Sequence, residues 1–553
     1  MRKNLALGIV ASLILLFWAV FLTPLRTVLI GPKKYAGPPL PPSAVAVPTA
    51  RTLAWRSDSA LARSLYASWA DRPLSDIRRV GKGDSTRILL GHLLARRQLP
   101  ETNALILTLA PWGTAGTSGW QNPKGDYDFE EAIYTTILWT FARSPEVLSP
   151  AARDHILNVM LTEEGGGFRT YAPRTLGLFE ETENHMLMTE GSRYLKNRWL
   201  KAHGDSSLSH DNLENGLEAK LLSLIATMRN AGFHEFNSQP YIGYTLLGLL
   251  NLEAFASEPV RAAARDLLDY MNWCYALGSY QLRHFAPFRR RYEYAGMTSL
   301  TGGYQTAYMN AWLSFAPSPL DQPGLAKAGL THSIIAACLP YRPADAVVRT
   351  LFDKGAGYFV KLGHGEQSSP EIFAAGPHYV LSAGGVNRGE RTILVALPIV
   401  LLCDSQGTDL DSVFHLAGPG NGFRTWNDTG VYKRFACAAG PVHVPAGAHA
   451  LAEDEAWKVY APSAGILIAV HSTPDVGLIA VFEGSDGRSV LQRVTKANPD
   501  PEALRTAFTV PGGNTLTYDL LSPKDTWVMI SDGDKALDRK FDRWPLISGD
   551  VAP

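Results

Sequence analysis

The sequence is poor in cysteine, with only Cys274, Cys338, Cys403 and Cys437 in 553 residues, widely spaced and without a C-x-x-C pair. That spacing excludes the usual thiolate zinc site, and leaves buried thiols or one or two disulfides as alternatives. An excess of charge is lacking too: 52 Lys+Arg stand against 52 Asp+Glu, so no global electrostatic footprint for nucleic acid exists. No heptad run, solenoid-period repeat or charge block occurs. A long apolar run is present at one end, Leu5 to Leu22, behind Arg2 and Lys3. At 18 residues it is near the minimum for spanning a bilayer. It reads as an export signal, and the absence of a small-x-small site before Pro24 and Arg26 favours an uncleaved anchor. The rest of the chain is then expected at the periplasmic face of the inner membrane, or secreted if the segment is removed.

Four regions follow from the patterning. Residues 1–34 are the signal or anchor, and 35–56 are a Pro- and Ala-rich linker expected to hold the remainder away from the bilayer. Residues 57–340 show a helical period in segments such as Ile88–Arg97, Glu130–Phe141, Asn184–Leu200, Tyr241–Phe255 and Leu325–Cys338. In 341–553 the period becomes two and the turns rich in Gly, Asn and Asp. Tyr358–Leu362, Thr392–Leu402, Val431–Ala436 and Gly477–Glu483 are among the strands this predicts. The expected fold class is α+β and multidomain, an all-helical domain followed by an antiparallel β-sandwich.

Asn184 and His185 stand side by side at the start of one predicted helix. Downstream, Gly232–Thr245 interrupts the helical pattern and puts Tyr241 and Tyr244 three apart at the mouth of another. An amide, an imidazole and a phenol around one cleft suit removal of the weakly acidic C5 proton of a uronic acid. Neutral or cationic donors hold the carboxylate as charge develops on it, and a tyrosine serves as base and then acid. The glycine-rich loop Gly113–Phe129 adds Trp120, Asp126 and Tyr127, residue types that stack on or bond sugars. Arg193, His234, His284 and Arg289, in the run Arg289–Arg291, supply further donors for an anionic ligand.

Asn184-His185, followed 57 residues after Asn184 by Tyr241 in a Gln-Pro-Tyr-x-Gly-Tyr setting, resembles the heparinase II/III-like and oligoalginate polysaccharide lyases. The resemblance implies an incomplete (α/α) toroid with a C-terminal β-sandwich. It also implies β-elimination on an acidic polysaccharide or oligosaccharide, Asn184 and His185 neutralising the carboxylate, and Tyr241 or Tyr244 as catalytic phenol. The stretch His364–Gly385 is similar to a sandwich segment of that family, making His364, His378 and Tyr379 candidates for the cleft. Where the family has a further His and Asp, this chain has Glu366 and Ser368 or Ser369, so no metal and no cofactor is expected. Two other readings stand beside this one. A glycoside hydrolase would use Asp126 or Asp128 with Glu183 or Glu190, and a non-catalytic glycan-binding envelope protein would use the cleft for binding alone.

Overall fold

The computed structural model describes residues 2–22, 40–80, 83–112, 126–172, 180–239, 241–289, 298–318, 332–363, 369–387, 394–395, 397–404, 407–419, 426–523 and 525–551. Helices dominate as far as Phe352 and antiparallel strands thereafter, so the chain is a mixed α and antiparallel-β protein.

Six helices, Asp84–Ala95, Asp128–Phe141, Glu183–Ala202, Ile242–Phe255, Tyr304–Leu313 and Ile334–Cys338, touch one another in chain order, and the last returns to the first. Ile242–Phe255 has no polar face and is buried from Ile242 to Glu253, as a helix surrounded by others must be. Amphipathic helices lie outside it. Glu258–Gly278, opened by Pro259, turns its apolar stripe of Val260, Leu267 and Leu268 inward. The close approach of two inner helices depends on Gly248: a Cβ there would stand 2.8 Å from the Leu187 Cβ.

A seven-stranded sheet runs from edge to edge through Val442–His443, His415–Leu416, Ile399–Cys403, Tyr379–Gly384, Glu371–Gly376, Tyr358–Leu362 and Ser548–Asp550. It is covered on both faces. Phe373 joins the helical core, while its neighbours Ile372 and Ala374 join a second core shared with a six-stranded sheet containing Phe435–Ala438, Ile466–Ser472 and Gly477–Glu483. Two expected strands are broken. Pro398 separates Leu394–Val395 from Ile399–Cys403, and Val431–Ala436 is a hairpin that turns at Lys433–Arg434.

The expected linker differs from its reading. Over residues 40–56 it is laid along the body rather than holding it off. The Ala44 N–H donates to the Ile547 carbonyl (2.7 Å), and Leu546 N–H to Pro41 (3.1 Å). Arg51 pairs with the buried Asp269, and Thr52 N–H donates to Asp345 Oδ2 at 2.7 Å. No helix among the described residues is long and apolar enough to cross a membrane. In the Arg2–Leu22 helix side chains are described only at 6–18, where Leu7 to Trp18 turn large apolar groups outward, 43–76 % exposed. The cysteines are free thiols.

Candidate functional site

The first turns of the inner helices meet. An α-helix leaves its first four N–H groups without intrahelical acceptors and carries partial positive charge at that end. Here Asp84, Asp128, Asn184, His185, Tyr244 and Tyr304 all lie within a turn of such an end, with His332 just ahead of Ile334–Cys338.

His185 is the electrostatic centre. Its Nδ1 donates to Asp128 Oδ2, and the Arg169 guanidinium lies 3.8 Å from that carboxylate oxygen and 3.5 Å from Glu181. Burial alone lowers an imidazole's pKa, but the charges of Asp128 and Glu181 outweigh it and raise His185 to about 9. Burial would raise Asp128, and the His185 and Arg169 cations reverse that, holding it below the ordinary carboxylate value. The pair is therefore an imidazolium and a carboxylate at neutral pH. Beside it Asn184 is fully buried, and neither atom of its amide has a hydrogen-bond partner among the described residues. A buried amide without partners costs roughly 1–3 kcal/mol.

Phe129 forms the divider of the site. Its ring meets His185 edge-on at 5.2 Å on one side and Tyr244 at 4.2 Å on the other. Beyond Tyr244 lie residues that the sequence did not reveal. The Arg87 guanidinium is 5.4 Å from the Tyr244 ring centre and 3.1 Å from Asp84. His332 stacks on Tyr304 at 4.7 Å and lies 3.6 Å from Asp84. Burial raises the Tyr244 phenol while Arg87 pulls against it, and burial with Arg87 nearby keeps His332 neutral. Neither Arg87 nor His332 sits in a motif; only the ring of helix ends brings them in. Tyr241 is buried immediately before Ile242–Phe255, in a loop tied to the neighbouring helix through Glu235 N–H to Glu183 Oε1 (2.7 Å).

Other expected residues lie elsewhere. Arg193, two turns along its helix, is engaged by Glu190 (2.9 Å), Glu163 (2.8 Å) and the Glu164 carbonyl. His284, expected as a donor to an anionic ligand, instead packs on Tyr275 at 4.8 Å, and burial lowers it to about 4. Tyr379 faces the core between the two sheets, and His378 lies on an exposed turn 3.7 Å from Asp404. The Tyr127 hydroxyl donates to the Met160 carbonyl at 2.6 Å, beside a separate cavity of about 350 Å³ that includes Glu130 and Trp112. Asp126 is buried just ahead of the Asp128 helix, and His234 is half-buried in the loop before Tyr241. Arg289 lies on a two-residue strand without a described side chain, and Trp120, Arg290, Arg291 and His364 fall outside the described residues.

No metal-holding group of three or more His, Cys, Asp or Glu occurs among the described residues. No family model matches the chain, and neither a curated protein nor a solved structure matches it.

Proposed function

We propose that the protein is a polysaccharide lyase acting on a uronate-containing glycan, with the ring of helices as an incomplete (α/α) toroid. One observation carries the reading: an orphaned Asn184 amide beside a charged His185–Asp128 pair, at the meeting of several helix N-termini. Such a place favours a carboxylate ligand.

In this reading the substrate carboxylate takes the Asn184 amide and the His185 Nε2–H. With charge drawn onto that carboxylate, the C5 proton passes to the oxygen of a tyrosine that enters the step as its phenolate, the C4–O4 bond breaks and a C4=C5 double bond forms. The departing oxygen takes a proton from the phenol. His185 neutralises rather than abstracts, because it is already protonated at neutral pH. Tyr241 and Tyr244 remain the two phenols; burial outweighs Arg87 and raises Tyr244, so its phenolate would form only as bound substrate rearranges those surroundings. Asn184 has no exposure, so the carboxylate must displace part of what covers it.

Three of the four carboxylates named for a hydrolase have other partners. Asp128 holds His185, Glu183 takes the Glu235 N–H, and Glu190 binds Arg193 and the Arg169 N–H at 2.8 Å. The outward apolar side chains of Arg2–Leu22 support a membrane-held, exported body. The deciding experiment is incubation with a panel of uronate glycans under ultraviolet detection. Absorbance from the conjugated product supports elimination. New reducing ends without absorbance favour hydrolysis, and binding without any product favours a glycan-binding protein.

A further inference from the structure

Far from the helix ends, a groove of about 570 Å³ opens in the C-terminal sheets, within the size range of small-molecule sites. Its walls are the Lys433–Arg434 turn, the end of strand Gly477–Glu483 with Arg493 of helix Gly487–Ala497, and the turn from Val510 to Asn514. Phe482, half-buried, gives it an apolar floor, and beneath it Phe435 and Phe508, stacked at 4.7 Å, are buried in the core.

The rim is cationic, and two of its cations are braced. Asp532 holds the Lys433 amine at 3.1 Å while also accepting from the Tyr432 hydroxyl and the Asn514 amide, both at 2.9 Å. Glu483 holds Arg434 at 2.6 Å. Arg493 lies 5.7 Å from the Phe482 ring centre and has no described carboxylate within ion-pair distance. Three cations against two carboxylates leave the groove one positive charge in excess. Lys433 also adopts φ +51°, a conformation that glycine or asparagine enters more readily. The chain thus keeps a strained lysine at the rim where an uncharged residue would fit the backbone better.

We propose that this groove is a second, non-catalytic saccharide site for a uronate-bearing oligosaccharide. The apolar face of a pyranose ring lies on the aromatic floor and its carboxylate meets Arg493 and Lys433. A neutral sugar would have the floor without the rim. The ligand class rests on the lyase reading, while occupancy of the groove is a separate question.

The test uses the full chain carrying His185→Ala, so that ligand is not consumed, and tetrasaccharides of galacturonate, mannuronate and a heparan-type glycan, with cellotetraose as neutral control. Hydrogen exchange is read at residues 431–435 and 510–514. At least one acidic tetramer is expected to protect both segments, cellotetraose to leave them unchanged, and Lys433→Glu with Arg493→Glu to weaken protection at least tenfold. Arg493→Gln alone, which changes one exposed side chain, should weaken it by a smaller factor. No protection by any acidic tetramer, equal protection by cellotetraose, or indifference to the charge reversals would overturn the proposal. Absence of the ultraviolet product with wild-type protein, by contrast, bears on the lyase reading alone.

Discussion

Asp128 and His185 hold each other in their charged forms across 57 positions of sequence. His185 is raised above its ordinary value, so the stability it contributes is complete below about pH 6.5 and lost as pH rises through about 9. Asp128 is lowered, so its contribution is present above the ordinary carboxylate range and lost as pH falls below it. Thermal stability is therefore expected to be level from about pH 5 to 6.5, to fall as pH rises from about 6.5 to about 9, and to level off again beyond. In Asp128→Asn, His185 loses its main counter-charge, so the alkaline fall in stability should shrink and the alkaline limb of turnover should move towards about pH 6.5. Turnover at neutral pH should fall by roughly 10²-fold or more. A pH–rate profile of Asp128→Asn that matches wild type would remove Asp128 from that role. Tyr241→Phe and Tyr244→Phe, assayed side by side by product absorbance, separate the two phenols: the variant of the catalytic one loses turnover while retaining glycan binding. Sequence alone could pair Asn184 with His185 because they are adjacent. It could not pair His185 with Asp128, because helix ends far apart in the chain meet only through packing, and a lone Asp before Phe129 looks like an ordinary cap.

Elements were legible where one face is wet and obscure where neither is. Tyr358–Leu362 has the bounds that alternation and turn residues predict. Glu371–Gly376 shows no clean alternation, because helices cover one side of its sheet and the other sheet covers the second. The Lys433–Arg434 turn escaped notice because neither residue is a turn former. The inner helices predict a mutational cost of their own. Gly248→Ala drives a methyl group against the Leu187 Cβ and carbonyl carbon, at 2.8 and 3.2 Å, and should destabilise the protein by about 1–3 kcal/mol in chemical denaturation. Because Leu187 lies two residues past His185, the variant should lose turnover beyond what lower stability explains. Unchanged stability would mean that the helices separate without penalty.

At the scale of the molecule, the segment at 40–56 is a fastening. Removing residues 1–39 should leave the denaturation midpoint of the body unchanged. Arg51→Ala, which strands the buried Asp269 beside Tyr341 alone, should cost about 3 kcal/mol, and equal midpoints for it and wild type would show the fastening to be idle. Sequence offered the extended character of this stretch and nothing of its docking, since Pro and Ala repeats carry no partner information. Its hydrogen bonds also impose an order of assembly. Pro41 and Ala44 have their partners at Leu546 and Ile547, so this stretch waits for one made long after it. Until those residues emerge, the strap has nothing to pair with there.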